Sequence, residues 1–173
     1  MFGVTQAPVP ATSLLKTYRD GPNAQAWEQF SDCFTTTVDR PVTLEEFVHA
    51  FYTSPVFRLE RALLRLVKLP STDTEARAVA EGTGQTFAAW RVGQRTATQL
   101  LMCDVMGRTR SWFAVTPSEA GGQSGTVLQF GSGIAAAVDP ATGEGRRSLG
   151  FRLLGGFHIL YSQVLLGAAK ARL

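Results

Sequence analysis

The chain has 173 residues, of which 45% are hydrophobic and only 18% are charged, and its formal net charge is +3. This length fits a single domain, the composition excludes a disordered chain, and no apolar run approaches the roughly 18 residues of a membrane-spanning helix. The mild basic balance does not by itself predict nucleic-acid binding. Because charged residues usually make up about a quarter of a protein, this chain has an apolar surplus that must belong to a core, a pocket or an interface.

Residues 1–26 are rich in Pro, Ala, Thr and Gly and show no regular period, which predicts an extended or loosely packed N-terminal arm. The start of the chain lacks the charged and apolar regions of a signal peptide, so we expect a cytoplasmic protein. In that compartment Cys33 and Cys103 are predicted to be two buried, reduced thiols and not a disulfide.

Residues 27–173 are predicted to form one domain that opens with a strand over residues 32–39. The β-branched residues of this segment favour a strand. Thr43 and Glu46 then have the spacing of a capping box, which predicts the start of a first helix.

A second helix is predicted to begin with Ser54 as its N-cap and Pro55 as its first residue. Apolar residues at helical spacing predict a stripe that faces the core, formed by Val56, Leu59, Leu63, Leu66 and Val67. Basic residues predict a solvated stripe on the opposite side, formed by Arg58, Arg61, Arg65 and Lys68. Such a basic stripe could also bind phosphate, anionic lipid or nucleic acid, but a solvated face is the interpretation that we favour.

Four short strands are predicted next, at residues 86–92, 96–105, 109–117 and 126–138. Connections of hairpin length, such as the turn around Gly107, make the sheet antiparallel. From Arg146 to the end the pattern predicts one long helix, whose apolar arc is wider than the arc of about 100° in an ordinary surface helix. An arc this wide needs a partner that wraps around it.

This order of elements resembles the helix-grip fold of the SRPBCC superfamily, which includes the START-like domains. Residues 99–115 (QLLMCDVMGRTRSWFAV) and residues 156–166 (GFHILYSQVLL) resemble a family of uncharacterised bacterial proteins. The resemblance implies an α+β fold in which a curved antiparallel sheet wraps around a long C-terminal helix, with two short helices after the first strand. It also implies a cavity between sheet and helix but no single reaction, because the superfamily carries many functions.

The aromatic residues predicted for the wall of such a cavity are Trp90, Trp112, Phe113, Phe130, Phe157 and Tyr161. Aromatic residues at this spacing also form ordinary cores, and the sequence does not separate the two roles. Arg91 is predicted either to face an anionic group of a ligand or to form a salt bridge with Glu60.

Three residues are candidates for acid–base chemistry. His158 and Tyr161 are three positions apart on the last helix and share its surface, so they could orient a polar group of a ligand or move a proton. The alternative for His158 is a partly buried ring bonded to a backbone carbonyl. Glu60 projects from the apolar side of the second helix, where a carboxyl group must find a partner or take up a proton. Its alternative is a boundary residue that extends its carboxyl group to solvent or pairs with an arginine of a strand.

The leading hypothesis is therefore a protein that binds an apolar or amphipathic small molecule between sheet and helix. The alternative is an enzyme of the cyclase, isomerase or hydrolase type that uses His158, Tyr161 or Glu60 as acid or base. We expect no cofactor, no nucleic-acid partner and no transmembrane segment. We also expect no metal, because the histidines and cysteines lack the spacing of a metal site. A homodimer that covers the apolar surplus is a third, weaker hypothesis.

Overall fold

The computed structural model describes residues 3–19, 31–66, 68–119, 124–134, 137–138, 145–146 and 149–173, with only the backbone described at 137–138, 145–146 and 149–157. The helices are α1 (Leu14–Thr17), α2 (Leu44–Tyr52), α3 (Pro55–Leu66), α4 (Asp73–Glu81) and α5 (Leu149–Lys170). The strands are β1 (Thr5–Gln6), β2 (Ser31–Val38), β3 (Thr86–Phe87), β4 (Trp90–Arg95), β5 (Gln99–Asp104), β6 (Thr109–Ser118), β7 (Gly125–Ile134), β8 (Ala137–Val138) and β9 (Gly145–Arg146).

The two helix starts predicted from capping residues are confirmed. In α2, the Glu46 backbone N–H donates to Thr43 Oγ1 at 3.1 Å, and the Thr43 N–H donates to Glu46 Oε2 at 2.8 Å. Before α3, Ser54 Oγ accepts from the Phe57 backbone N–H at 3.2 Å. These bonds satisfy backbone donors that have no partner within the helix, so local sequence is sufficient to set both starts.

Seven strands form one antiparallel sheet in the order β1-β2-β7-β6-β5-β4-β3, while β8 and β9 form a separate pair. Strands β3 to β7 follow one another along the sheet, as short connections require. The last of them, β7, also pairs with the early strand β2, with Phe34 opposite Phe130. Together with the helices of the described residues, this sheet gives the chain an α+β fold.

Helices cover both faces of the sheet. On one face, α2, α4 and α5 pack over the main core, which contains Phe34, Phe113 and Phe130. On the other face, α1 packs over a second cluster that contains Cys33 and Trp112. Neighbouring residues of a strand point to opposite faces, and therefore β2 and β6 each contribute to both cores.

The N-terminal arm is packed more tightly over residues 3–19 than we expected for residues 1–26. Strand β1 pairs with β2, and Leu14 and Leu15 of α1 are only 5% and 1% exposed. Ser13 caps α1, since its Oγ accepts from the Lys16 backbone N–H at 3.3 Å. The sequence pattern missed this packing because α1 spans only 4 residues, which is too short to display a helical period.

The predicted orientation of α3 is wrong. Leu59, Leu63 and Leu66 are 65%, 59% and 81% exposed, whereas Phe57 and Arg61 are buried. Of the two other members of the predicted core stripe, Val56 is partly buried against the main core, and Val67 lies outside the described residues.

Arg61 is buried because its polar atoms are satisfied beside α4. Its guanidinium donates to Asp73 Oδ1 at 2.5 Å, to Ser71 Oγ at 3.0 Å and to the Ser71 carbonyl at 2.9 Å. The same group lies 5.5 Å from the ring centroid of Phe87. A long arginine can bury its stem and ring-facing surface once its donors are bonded, so Arg61 faces inward while Arg58, Arg65 and Lys68 of the predicted basic stripe stay exposed.

The two cysteines are free and buried, as predicted. Cys33 lies on β2 and Cys103 on β5, and two strands separate them in the sheet. Over the part of the chain that the structure describes, no helix has both the length and the apolar character needed to cross a membrane.

Candidate functional site

A cavity of about 170 Å³ lies between the sheet and α5, with α2 and α3 closing its sides. Its apolar wall is formed by Phe51, Phe57, Phe113, Phe130 and Leu165. An apolar cavity of about 150 Å³, engineered into another protein, holds benzene. The volume therefore matches a small ring compound.

The aromatic wall is held in place by ring contacts between α2 and the sheet. The Phe51 ring centroid lies 4.8 Å from that of Phe113 and 4.7 Å from that of Phe130. Phe113 and Phe130 are themselves paired across β6 and β7, with their centroids 5.3 Å apart. Because each ring contacts the other two, this wall is preorganised.

A carboxyl group and a phenol meet at the α3–α5 side of the cavity. The Tyr161 hydroxyl donates to Glu60 Oε2, and both residues line the cavity. Burial raises the pKa of Glu60, and the hydrogen bond from Tyr161 opposes part of that increase. Burial and the neighbouring Glu60 also raise the pKa of Tyr161. Glu60 is therefore a carboxyl group that takes up a proton more readily than an exposed one.

A second polar cluster joins β2, β7 and α5. Ser132 Oγ donates to Asp32 Oδ1 at 2.6 Å, and the Ser132 backbone N–H donates to the same oxygen at 3.1 Å. His158 Nε2 lies 2.6 Å from Ser132 Oγ and 3.3 Å from Asp32 Oδ2. Ser132 and His158 line the cavity, and Asp32 lies directly behind them.

Protonation in this second cluster follows from its hydrogen bonds. Burial alone would raise the pKa of Asp32, but hydrogen bonds from His158 and Ser132 outweigh it and lower that pKa. Since the one hydroxyl proton of Ser132 goes to the Asp32 carboxylate, His158 Nε2 carries a proton and donates it to Ser132 Oγ. This is the reverse of a serine nucleophile, whose proton goes to histidine. The cluster therefore positions His158 and does not activate Ser132.

Three more polar side chains line the cavity without a hydrogen-bond partner within the described part of the chain. Their polar atoms are Tyr52 Oη, Trp90 Nε1 and Ser162 Oγ, and all three are shielded from solvent. Tyr52 and Ser162 are 2% and 1% exposed. Burial, followed by the neighbouring Glu60, raises the pKa of the Tyr52 hydroxyl, so this group stays a hydrogen-bond donor.

Most of the residues predicted for the site are brought together by the fold. The predicted residues that line the cavity are Glu60, Trp90, Phe113, Phe130, His158 and Tyr161. The side chain of Phe157 lies outside the described residues.

Two predicted residues lie elsewhere. Trp112 is a correction, because it belongs to the second cluster on the opposite face, where its Nε1 donates to Gln99 Oε1 at 2.8 Å. It follows Ser111, which does line the cavity, and a shift of one position along a strand reverses the face. Arg91 is exposed and is not among the residues that line the cavity.

Sequence analysis missed Asp32, Ser132, Tyr52 and Ser162. The alternation of β2 places Asp32 on the same face as Phe34, and this was a usable signal. The pairing of Asp32 with Ser132, however, joins positions 100 residues apart. A contact of that range depends on the sheet order, which no local pattern contains.

Among the residues that the structure describes, no three side chains of the His, Cys, Asp and Glu types form a group that could hold a metal ion. Comparison of the chain with protein-family models, with curated proteins and with solved structures found no match.

Proposed function

We propose that this protein binds a small, hydrophobic or amphipathic molecule in the cavity between the sheet and α5. The observation that carries the proposal is the cavity itself, which has a volume of about 170 Å³, an aromatic wall and polar groups at defined points. This combination of mostly apolar surface and a few fixed polar groups is typical of small-molecule sites.

The helix-grip architecture and a relationship to the SRPBCC superfamily belong to the same proposal. They are supported by the order of the sheet, in which β2 lies beside β7, and by the position of α5 against α2, α3 and β2. A cytoplasmic location is also proposed, and the two free, buried cysteines support it.

Native mass spectrometry of freshly purified protein tests the binding proposal. We expect a bound small molecule, or uptake of added indole at one molecule per chain. Ser162→Leu adds volume inside the cavity and should abolish this binding, whereas Ala171→Leu at the exposed end of α5 should preserve it. Thermal unfolding of both variants verifies that they are folded. A wild-type protein that carries no ligand and takes up no indole would contradict the proposal.

The second candidate is an enzyme of the isomerase, cyclase or hydrolase type that moves a proton on the bound molecule. It is favoured by one observation, the hydrogen bond between Tyr161 and Glu60 inside the cavity. A carboxyl group with a raised pKa in an apolar wall is suited to general acid–base work near neutral pH.

Proton exchange measures this second activity directly. In D₂O, we expect the wild-type protein to accelerate deuterium exchange at the carbon next to the carbonyl of small ketones, as followed by NMR. Glu60→Gln keeps an acceptor for Tyr161 but removes the acid–base group, and it should reduce the exchange to the uncatalysed rate. Exchange that is equally fast with Glu60→Gln would exclude Glu60 as the base.

A further inference from the structure

Three polar atoms of the cavity have no hydrogen-bond partner among the described residues, and they come from three different elements. Tyr52 lies on α2, Trp90 on β4 and Ser162 on α5, and each residue lines the same space. An unbonded polar atom without access to solvent is uncommon in a folded protein and calls for an explanation. Three such atoms around one cavity are explained by a molecule that bonds to them.

The chemistry of these three groups defines what that molecule must offer. The indole N–H of Trp90 only donates hydrogen bonds, and the hydroxyls of Tyr52 and Ser162 can donate as well. The described carboxylates at the cavity already have donors, because Tyr161 donates to Glu60 and Ser132 donates to Asp32. What the unpartnered atoms share is therefore a need for an acceptor.

Among the residues that the structure describes, the charges near the cavity argue against an anionic acceptor. Two carboxyl groups, Glu60 and Asp32, lie at or directly behind its wall. Arg110 contributes to the lining, but its guanidinium carbon lies 5.1 Å from the Tyr18 ring centroid, and its Nη1 donates to the Tyr18 carbonyl at 3.3 Å. Because Tyr18 follows α1 on the far face of the sheet, this positive charge does not face the ligand. An anion would enter an apolar space close to like charges.

We propose that the ligand is an uncharged one-ring or two-ring compound that carries a carbonyl oxygen, and that Tyr52, Trp90 and Ser162 donate hydrogen bonds to its oxygen atoms. The inference rests on the proposed binding function and narrows it to a class of ligand. Sites that bond a polar group of their ligand reject analogues that lack it, because their own buried groups are then left unpaired.

Two probes of nearly the same shape test the inference. Acetophenone carries the carbonyl oxygen, and isopropylbenzene has a methyl group in its place. Isothermal titration with the wild-type protein should give an affinity for acetophenone at least about tenfold higher than for isopropylbenzene. Water solvates the ketone better than the hydrocarbon, so apolar burial alone would give the opposite order. Benzoate, the anionic analogue, should bind more weakly than acetophenone.

Variants assign the preference to the proposed donors. Tyr52→Phe and Ser162→Ala should each reduce the affinity for acetophenone several-fold and leave the affinity for isopropylbenzene within about twofold. Tyr18→Phe, which removes a hydroxyl on the far face of the sheet, is the matched control and should change neither. If the loss of the Tyr52 hydroxyl prevents folding, the smaller change Ser162→Ala gives the same readout.

The outcomes separate this inference from the binding proposal on which it rests. Equal or tighter binding of isopropylbenzene, with no effect of the two variants, overturns the ligand class and leaves a simple apolar site. Tighter binding of benzoate overturns the requirement for an uncharged ligand. If neither neutral probe binds and native mass spectrometry shows no bound molecule, both proposals fail.

Discussion

Glu60 has its carboxyl group in a wall made mostly of aromatic rings, and burial in this wall disfavours the charged form of the carboxyl group. Its hydrogen bond from Tyr161 compensates only part of the cost of burial, so its pKa is raised. A raised pKa means that the folded protein holds the proton more tightly than the unfolded chain does. The contribution of Glu60 to stability is therefore most favourable below its unfolded pKa, and it declines as the pH rises through the folded pKa.

Glu60→Gln should remove this pH-dependent cost and retain an acceptor for Tyr161. We expect the variant to be at least as stable as the wild-type protein at pH 7, and the difference to shrink as the pH falls towards 4. Thermal unfolding across this pH range measures it. The exposed Glu45→Gln on α2 is the control and should show no such trend. If the stability of the variant relative to wild type were lower at pH 7 than at pH 4, the raised pKa of Glu60 would be contradicted.

At the scale of elements, α3 shows that a periodic pattern identifies a helix without identifying its inner face. Both stripes of α3 have the correct spacing, and hydrophobicity favours the leucine stripe. The structure buries neither stripe as a whole but a face between them that contains Phe57 and Arg61, because Asp73 and Ser71 bond the guanidinium. Leu59, Leu63 and Leu66 are left exposed together on one side of α3.

This orientation predicts effects of different size for two substitutions on the same helix. Arg61→Ala should lower the free energy of unfolding by about 2 kcal/mol, because it removes packing against Phe87 and leaves the Ser71 acceptors unbonded. Leu63→Gln should change it by less than about 0.5 kcal/mol, as expected for an exposed position. Urea unfolding at pH 7 measures both values. If Leu63→Gln lowered the free energy of unfolding more than Arg61→Ala does, the leucine stripe would be the inner face that the sequence pattern predicted.

At the scale of the whole molecule, the sheet is a central layer with helices on both sides. The small cluster under α1 contains Cys33, Cys103 and Trp112. Burial, and secondarily the nearby Asp32, raises the pKa of Cys33 to about 11. A thiol with that pKa is almost entirely protonated at neutral pH and reacts slowly with thiol reagents.

Leu15 of α1 packs in this small cluster, and we expect it to stabilise the entire sheet. Leu15→Ala removes a side chain that is 1% exposed, and we expect a loss of about 2–4 kcal/mol in the free energy of unfolding. Cys33 and Cys103 should then react faster with a thiol reagent at pH 8. Thr12→Ala, at an exposed position before α1, is the control. Fast thiol reaction in the intact wild-type protein would contradict the packing of α1.

The sequence by itself determined the features that depend on neighbouring residues. The starts of α2 and α3 are set by capping side chains that accept from the backbone N–H three residues further along the chain. The turn at Gly107 is set by a backbone φ of 67°, which glycine adopts without strain. The antiparallel sheet follows from short connections, and the candidates Phe113 and His158 follow from the apolar faces on which they lie.

Only the tertiary structure decided which of these faces meet. The pairing of β2 with β7 brings Asp32 to Ser132 and His158, and the packing of α3 against α5 brings Glu60 to Tyr161. The same sheet order separates Trp112 from the cavity that its neighbour Ser111 lines. Periodicity reports that a residue has a buried side, but which partner lies there depends on contacts between segments far apart in the chain, and these form only when the entire core packs.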